Sequence, residues 1–223
     1  DFSLPAAALG AVVSIALGKQ IFGGLGYNIF NPALVGRAFL QAAFPVAMTT
    51  WPRPNFAVDS VTTATPLAAM KFESSMPNFL SLVIGNIGGT MGETSGLAIL
   101  IGGIFLIMVG IVNWRIPTAV ILGVLIFGGV FWLVEPTVYP SPLLHLFTGG
   151  LLFGAFFMAT DWITSPITNR GMWIFGLGIA VVVIFIRLFG GLPEGVMYSI
   201  LLMNAFVPLI NRFTRPSVFG MTP

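Results

Sequence analysis

The residues Asp59-Ser60-Val61-Thr62-Thr63-Ala64-Thr65-Pro66-Leu67 gather a carboxylate and a run of hydroxyls in one short segment of an otherwise greasy chain. Two chemistries suit such a segment. Thr before Pro caps a helix or fills a turn, so Thr65-Pro66 would open a short helix. Alternatively, one hydroxyl oxygen serves as a point of covalent attachment. That role needs an exposed oxygen within reach of a modifying enzyme: Ala64 is small enough to leave access, and Pro66 holds the following backbone away. The residues alone leave both readings open.

Other chemistry-bearing residues are few. The chain has no Cys and one His, His145, which excludes disulfides, thiolate iron–sulfur ligation, thiol catalysis and a multi-histidine metal site within it. No catalytic residue and no metal ligand is expected. Arg37 and Lys19 fall inside or beside apolar runs; snorkelling to cytoplasmic headgroups is their simplest role, and pairing with a neighbouring helix or holding a cofactor is the alternative for Arg37. Asp161 ends an apolar run and is a candidate for an ion path, because acids near a membrane pathway are commonly functional. Glu93 either caps the next helix or lies beside a cofactor.

The elements that position these residues must be membrane helices. The 223 residues are 57% hydrophobic and 7% charged, with a mean hydropathy of +0.99. A soluble domain carries about 25% charged residues, so lipid is the natural solvent. A net charge of +2 gives no sign of a nucleic-acid partner, and none is expected. The apolar runs predict spans over Leu4–Phe22, Asn31–Trp51, Gly96–Trp114, Pro117–Val134, Leu143–Ala159, Met172–Phe189 and Gly195–Ile210. Asn31-Pro32 opens the second with a cap and a proline in the first turn. Residues 52–75 form a polar, proline-rich loop, and Asn78–Thr94 reads as a short helix pair or re-entrant segment.

If the last five spans alternate, Arg115, Arg170, Arg212 and Arg215 share one side, with Glu93, Glu135 and Glu194 on the other and Arg187 near its edge. Positive loops stay cytoplasmic, which puts the C-terminus inside and the Thr65 loop outside. Gly23-Gly24-Leu25 with Phe30 and Ala33 is echoed by Gly149-Gly150-Leu151 with Phe156 and Ala159, as an inverted repeat would produce.

The hydroxyl segment resembles the flavinylation motif Asp-x-x-(Ser/Thr)-x-Ala-(Thr/Ser), with Asp59, Thr62, Thr63, Ala64 and Thr65 in place; Thr63 stands where Gly is frequent. Together with Gly23–Leu40, Gly92–Gly103 and Gly149–Pro166, it makes the chain similar to the RnfD/NqrB family of membrane subunits, most like its RnfD members, from about Gly18 to Phe219. The resemblance implies an all-α integral membrane protein, a multi-span helical bundle. Residues 1–223 would form one transmembrane domain of a ten-span parent built from two inverted five-span halves, with about three N-terminal spans preceding it. It also implies FMN joined to Thr65 by a phosphoester that a flavin transferase installs, and a second, non-covalent riboflavin of no assigned place. The implied role is electron relay between ferredoxin and NAD among the other subunits of an Rnf complex in a prokaryotic cytoplasmic membrane, coupled to Na⁺ or H⁺ export. The alternatives are an NqrB-type quinone reductase subunit and a cofactor-free solute channel or transporter, which inverted repeats also serve.

Overall fold

Small residues at every fourth position set the first helix pair. In a computed structural model, which describes residues 3–52, 62–63, 65–72, 78–85, 87–89 and 94–216, α1 (Leu4–Gly18) runs antiparallel to α2 (Pro32–Ala43). Gly10 faces Leu40, Ser14 faces Gly36 and Gly18 faces Pro32. A Cβ on Gly36 would stand 2.8 Å from the Gly10 carbonyl oxygen, so the backbones touch. Close backbone approach through small residues is the usual means by which helices associate in lipid, where hydrophobic burial supplies little. The Ser14 hydroxyl adds a 2.6 Å hydrogen bond to the Pro32 carbonyl. A 3₁₀ turn, Gln20–Phe22, extends α1 to the expected length.

The same device builds the main bundle. α7 (Arg115–Val134) and α10 (Asn169–Phe189) are parallel, with Gly176 against Ala119 and Gly123 against Ala180. α11 (Val196–Thr214) returns antiparallel to α10, pairing Gly195 with Ile186, Gly178 with Met203 and Gly171 with Ile210. Phe175, Ile179, Val183, Ile184 and Ile200 fill the space between them. Leu and Ile side chains on the outer faces stay exposed, as lipid-facing residues do. The segment Leu4–Phe22 and the helices α7, α10 and α11 are each long and apolar enough to cross a membrane. This is an all-helical integral membrane protein.

Several expected spans are interrupted. The run Asn31–Trp51 breaks at Phe44: Pro45, which cannot donate to the helix ladder, starts a separate α3 (Pro45–Thr49). A two-residue antiparallel ladder, β1 (Trp51–Pro52) with β2 (Thr62–Thr63), precedes α4 (Pro66–Phe72) and α5 (Phe79–Ile84). α6 (Gly96–Met108) ends six residues before the expected Trp114, and its cap is the Ser95 hydroxyl, which accepts from Ala98 N–H. The expected span Leu143–Ala159 is two pieces: α8 (Pro142–Phe147), then α9 (Leu151–Phe153) running into a π-helical turn, Gly154–Met158.

The glycine echo does not carry over into matching backbone. Gly23 and Gly24 both adopt positive φ, and the helix resumes only at Pro32. In the second copy only Gly149 does, and the helix resumes at Leu151. The two segments nevertheless meet: Asn31 Nδ2 donates to the Met158 carbonyl at 3.3 Å.

Gly36→Leu is expected to separate α1 from α2. The larger side chain cannot be accommodated against Gly10 and Ser14, so thermal unfolding in detergent should report a loss of about 1–3 kcal/mol, the usual cost of overpacking.

Candidate functional site

A helix interrupted in an apolar medium leaves carbonyls at one cut end and N–H groups at the other. The break between α8 and α9 presents both. Arg187, in the last turn of α10 and 4% exposed, donates from Nη1 to the His145 carbonyl and from Nη2 to the Thr148 carbonyl, the latter at 2.9 Å. Glu194, in the α10–α11 turn, accepts from Gly150 N–H at 2.7 Å through Oε1. A cation closes the carbonyl end and a carboxylate the amide end, each as the local dipole requires. Glu194 Oε2 also pairs with Arg37 Nη2 at 3.2 Å, which fixes α2 to the turn. Arg37 is therefore turned toward Glu194 rather than toward the arginine-rich end of the bundle, the structural pairing expected as the alternative to snorkelling.

Gly149 sits at the centre of the break with φ +64°. A Cβ there would lie 3.1 Å from Glu194 Oε1, 3.3 Å from Arg187 Nη2 and 3.3 Å from Leu67 Cδ2. Leu67 belongs to α4, two residues after Thr65, so the hydroxyl segment is docked on the helix break. Lys71, at the other end of α4, donates to the carbonyls of Ile186, Gly190 and Leu192. Burial holds its ammonium below the usual lysine range.

Thr65 is half-buried, and its hydroxyl oxygen accepts from Ala68 N–H at 3.2 Å, so the capping role expected of it is real. The same residue lines a cavity of about 140 Å³ with Arg37, Gln41, Gly88, Gly89 and Glu194. Thr62 and Thr63 contribute their backbone to the ladder that brings Thr65 back to the end of α3. Asp59, Ala64 and Glu93 lie outside the described residues.

The expected ion-path residue is elsewhere. Asp161 Oδ2 accepts from the Thr164 hydroxyl at 2.9 Å, in a turn next to the end of the bundle that carries Arg115. Thr65 is at the opposite end, beside Glu194 and the last turn of α10. The arginine-rich end holds a second cavity of about 730 Å³, lined by Asn28, Thr164, Asn204, Asn211, Arg212 and Arg215, among others. Pro208 inside α11 withholds the N–H that would bond the Asn204 carbonyl. The Asn204 amide, in the orientation that satisfies both its ends, donates to Thr164 O (3.2 Å) and accepts from Asn31 N–H (3.1 Å). Asn28 is 5% exposed, and its Oδ1 has no hydrogen-bond partner among the described residues. His145 is buried, and its backbone carbonyl accepts from Arg187.

Sequence reasoning named the capping role of Thr65 but gave Glu194 no part in a site. An available signal was an acid between two spans, in Pro193-Glu194-Gly195, matched by an arginine inside another apolar run.

Discontinuous helices that bring charged side chains to a break inside an apolar bundle mark a candidate functional site in a membrane protein. Residues 1–220 match the NQR2, RnfD, RnfE family, and the chain belongs to it. It is 48% identical over 218 residues to the D subunit of the Na(+)-translocating ferredoxin:NAD(+) oxidoreductase complex of Acetobacterium woodii, covering 96% of this chain and 66% of that one. It is 45% identical over 228 residues to the D subunit of the proton-translocating ferredoxin:NAD(+) oxidoreductase complex of Clostridium ljungdahlii, covering 96% and 68%. The D subunit of the ion-translocating oxidoreductase complex of Stutzerimonas stutzeri is 38% identical over 243 residues, with 95% and 69% covered. The chain thus spans about two thirds of the length of these relatives.

Arg187→Met is expected to leave the His145 and Thr148 carbonyls unsatisfied in a buried site. The measurable result is a loss of about 2–5 kcal/mol in detergent unfolding, the cost of stranding buried polar groups.

Proposed function

We propose that this chain is the D-type membrane subunit of an ion-translocating ferredoxin:NAD⁺ oxidoreductase complex, carrying FMN as a phosphoester on Thr65. The observation that carries the reading is the position of Thr65: it lines a small cavity together with Arg37, beside a helix break fastened by charged side chains. Relatives 48% and 45% identical to it are D subunits of such complexes.

The residues present fit the group. The Thr65 oxygen accepts one hydrogen bond from Ala68 N–H, and that contact needs no hydroxyl proton, so it survives esterification. When the ester forms, the Thr65 Oγ–phosphorus bond is made, the hydroxyl proton leaves, and the donor's leaving group departs from phosphorus. A flavin transferase supplies that step. Once attached, the flavin supplies one- and two-electron chemistry. The protein supplies position: the β1–β2 ladder, the Leu67 contact and the Lys71 clamp hold Thr65 against the bundle. Electron donors and acceptors are partner subunits, and Na⁺ or H⁺ moves across the complex. The Thr65 end of the bundle faces outward and the arginine-rich end faces the cytoplasm, by the distribution of positive charge.

The cavity of about 730 Å³ at the arginine-rich end is within the roughly 300–1,000 Å³ range of small-molecule sites, which supports it as the place of a second, non-covalent flavin. Asn28 is among the residues that line it.

The decisive measurement is the mass of the peptide containing Thr65 from protein made with its transferase. The peptide is expected to carry the added mass of FMN, and Thr65→Ala to lose both that mass and the flavin fluorescence of the denatured band. An unmodified wild-type peptide would overturn the assignment. Separately, Asn28→Leu is expected to lose a flavin that denaturation releases while keeping the one on Thr65.

A further inference from the structure

We propose that Arg37 is the positioning residue for the phosphodiester that joins Thr65 to its flavin. The inference rests on Thr65 being the attachment site. Three observations carry it.

The first is size. The cavity shared by Thr65 and Arg37 is about 140 Å³, below the roughly 300 Å³ at which small-molecule pockets begin. It admits a phosphate and leaves a tricyclic ring outside. The group buried beside Arg37 would therefore be the linkage, not the redox ring.

The second is charge. A phosphodiester is an anion at neutral pH, and esterification of Thr65 would bring it to a cavity that already holds the Glu194 carboxylate. Two anions in a half-buried site repel unless a cation lies between them. Arg37 already pairs with Glu194 through Nη2 at 3.2 Å. A guanidinium carries five N–H donors in a planar fork, so one arginine serves a carboxylate and a phosphate together, as a lysine ammonium does with less geometric control.

The third is the commitment of the nearby cations. The Lys71 ammonium is on the same short helix as Thr65 but is directed at the carbonyls of Ile186, Gly190 and Leu192. Arg187 is directed at those of His145 and Thr148. Of these three side chains, Arg37 is the one that lines the Thr65 cavity.

The test uses the full chain, purified after co-expression with the flavin transferase. Two quantities are read: FMN mass on the Thr65 peptide, and fluorescence anisotropy of the attached flavin. Arg37→Gln is expected to keep its FMN while the anisotropy falls about twofold, because a charge-assisted contact that holds the linkage has gone. Arg37→Lys is expected to recover part of the anisotropy. Glu194→Gln removes the same ion pair from the other side while its amide oxygen still accepts from Gly150 N–H and keeps the helix break closed, so the anisotropy is expected to stay at its wild-type value or above it. Unchanged anisotropy in Arg37→Gln overturns the proposal. So does an equal fall in Glu194→Gln, which would make Arg37 a strut for the helix break and nothing more. If Arg37→Gln is not flavinylated, a flavinylated Arg37→Lys of near wild-type anisotropy supports the proposal, whereas loss of flavin from both variants overturns it by assigning Arg37 to folding or transferase recognition. A wild-type peptide without FMN instead removes the Thr65 assignment itself, a result distinct from all of these.

Discussion

The architecture depends on satisfying the backbone at one interruption. Between Phe147 and Leu151 the chain stops being a helix within an apolar bundle, where an unsatisfied carbonyl or N–H has no water to turn to. Arg187 and Glu194 supply what the neighbouring turns would have supplied. Each is a charged group that would be costly to bury by itself. Each becomes tolerable because the cut helix offers the complementary partial charge. The break and the buried charges are therefore mutually required, and the Arg37–Glu194 pair extends the arrangement to α2.

This explains why one end of the bundle gathers segments that are distant in sequence. Glu194 touches Gly150, 44 residues away, and Arg37, 157 residues away. Leu67 closes over Gly149 from a third direction. The Thr65 segment would be a loose loop without this surface. Docked on it, the hydroxyl has a fixed place relative to four separate helices.

The regular part of this molecule was open to reading from the sequence. α7, α10 and α11 lie within a few residues of the runs that predicted them, because uninterrupted hydrocarbon of that length has one stable form in lipid. The Thr65 cap before Pro66 was open for a similar reason: the residues that make it are contiguous. What escaped was the set of interruptions. Leu143–Ala159 reads as continuous because Phe147 and Leu151 are as apolar as their neighbours, and Gly149-Gly150 is unremarkable among 27 glycines. The break is stable only because of residues elsewhere in the chain, and no local window contains them. Pro45 was a local signal, but an apolar run on either side outweighed it. Glu194 was invisible as a site residue because its partners are tertiary. The glycine echo misled in a different way: identical tripeptides adopted different backbone, since only the second is pinned by Glu194 and Arg187.

The Lys71 clamp has a mechanical consequence. The ammonium grips three carbonyls at the end of α10 and the turn beyond it, at the far end of the short helix that Thr65 begins. Thr65 is thus mounted on a lever whose fulcrum is a transmembrane helix, not hung on a leash. Any tilt of α10 would swing Thr65 through an arc, and any pull on Thr65 would load α10 in return.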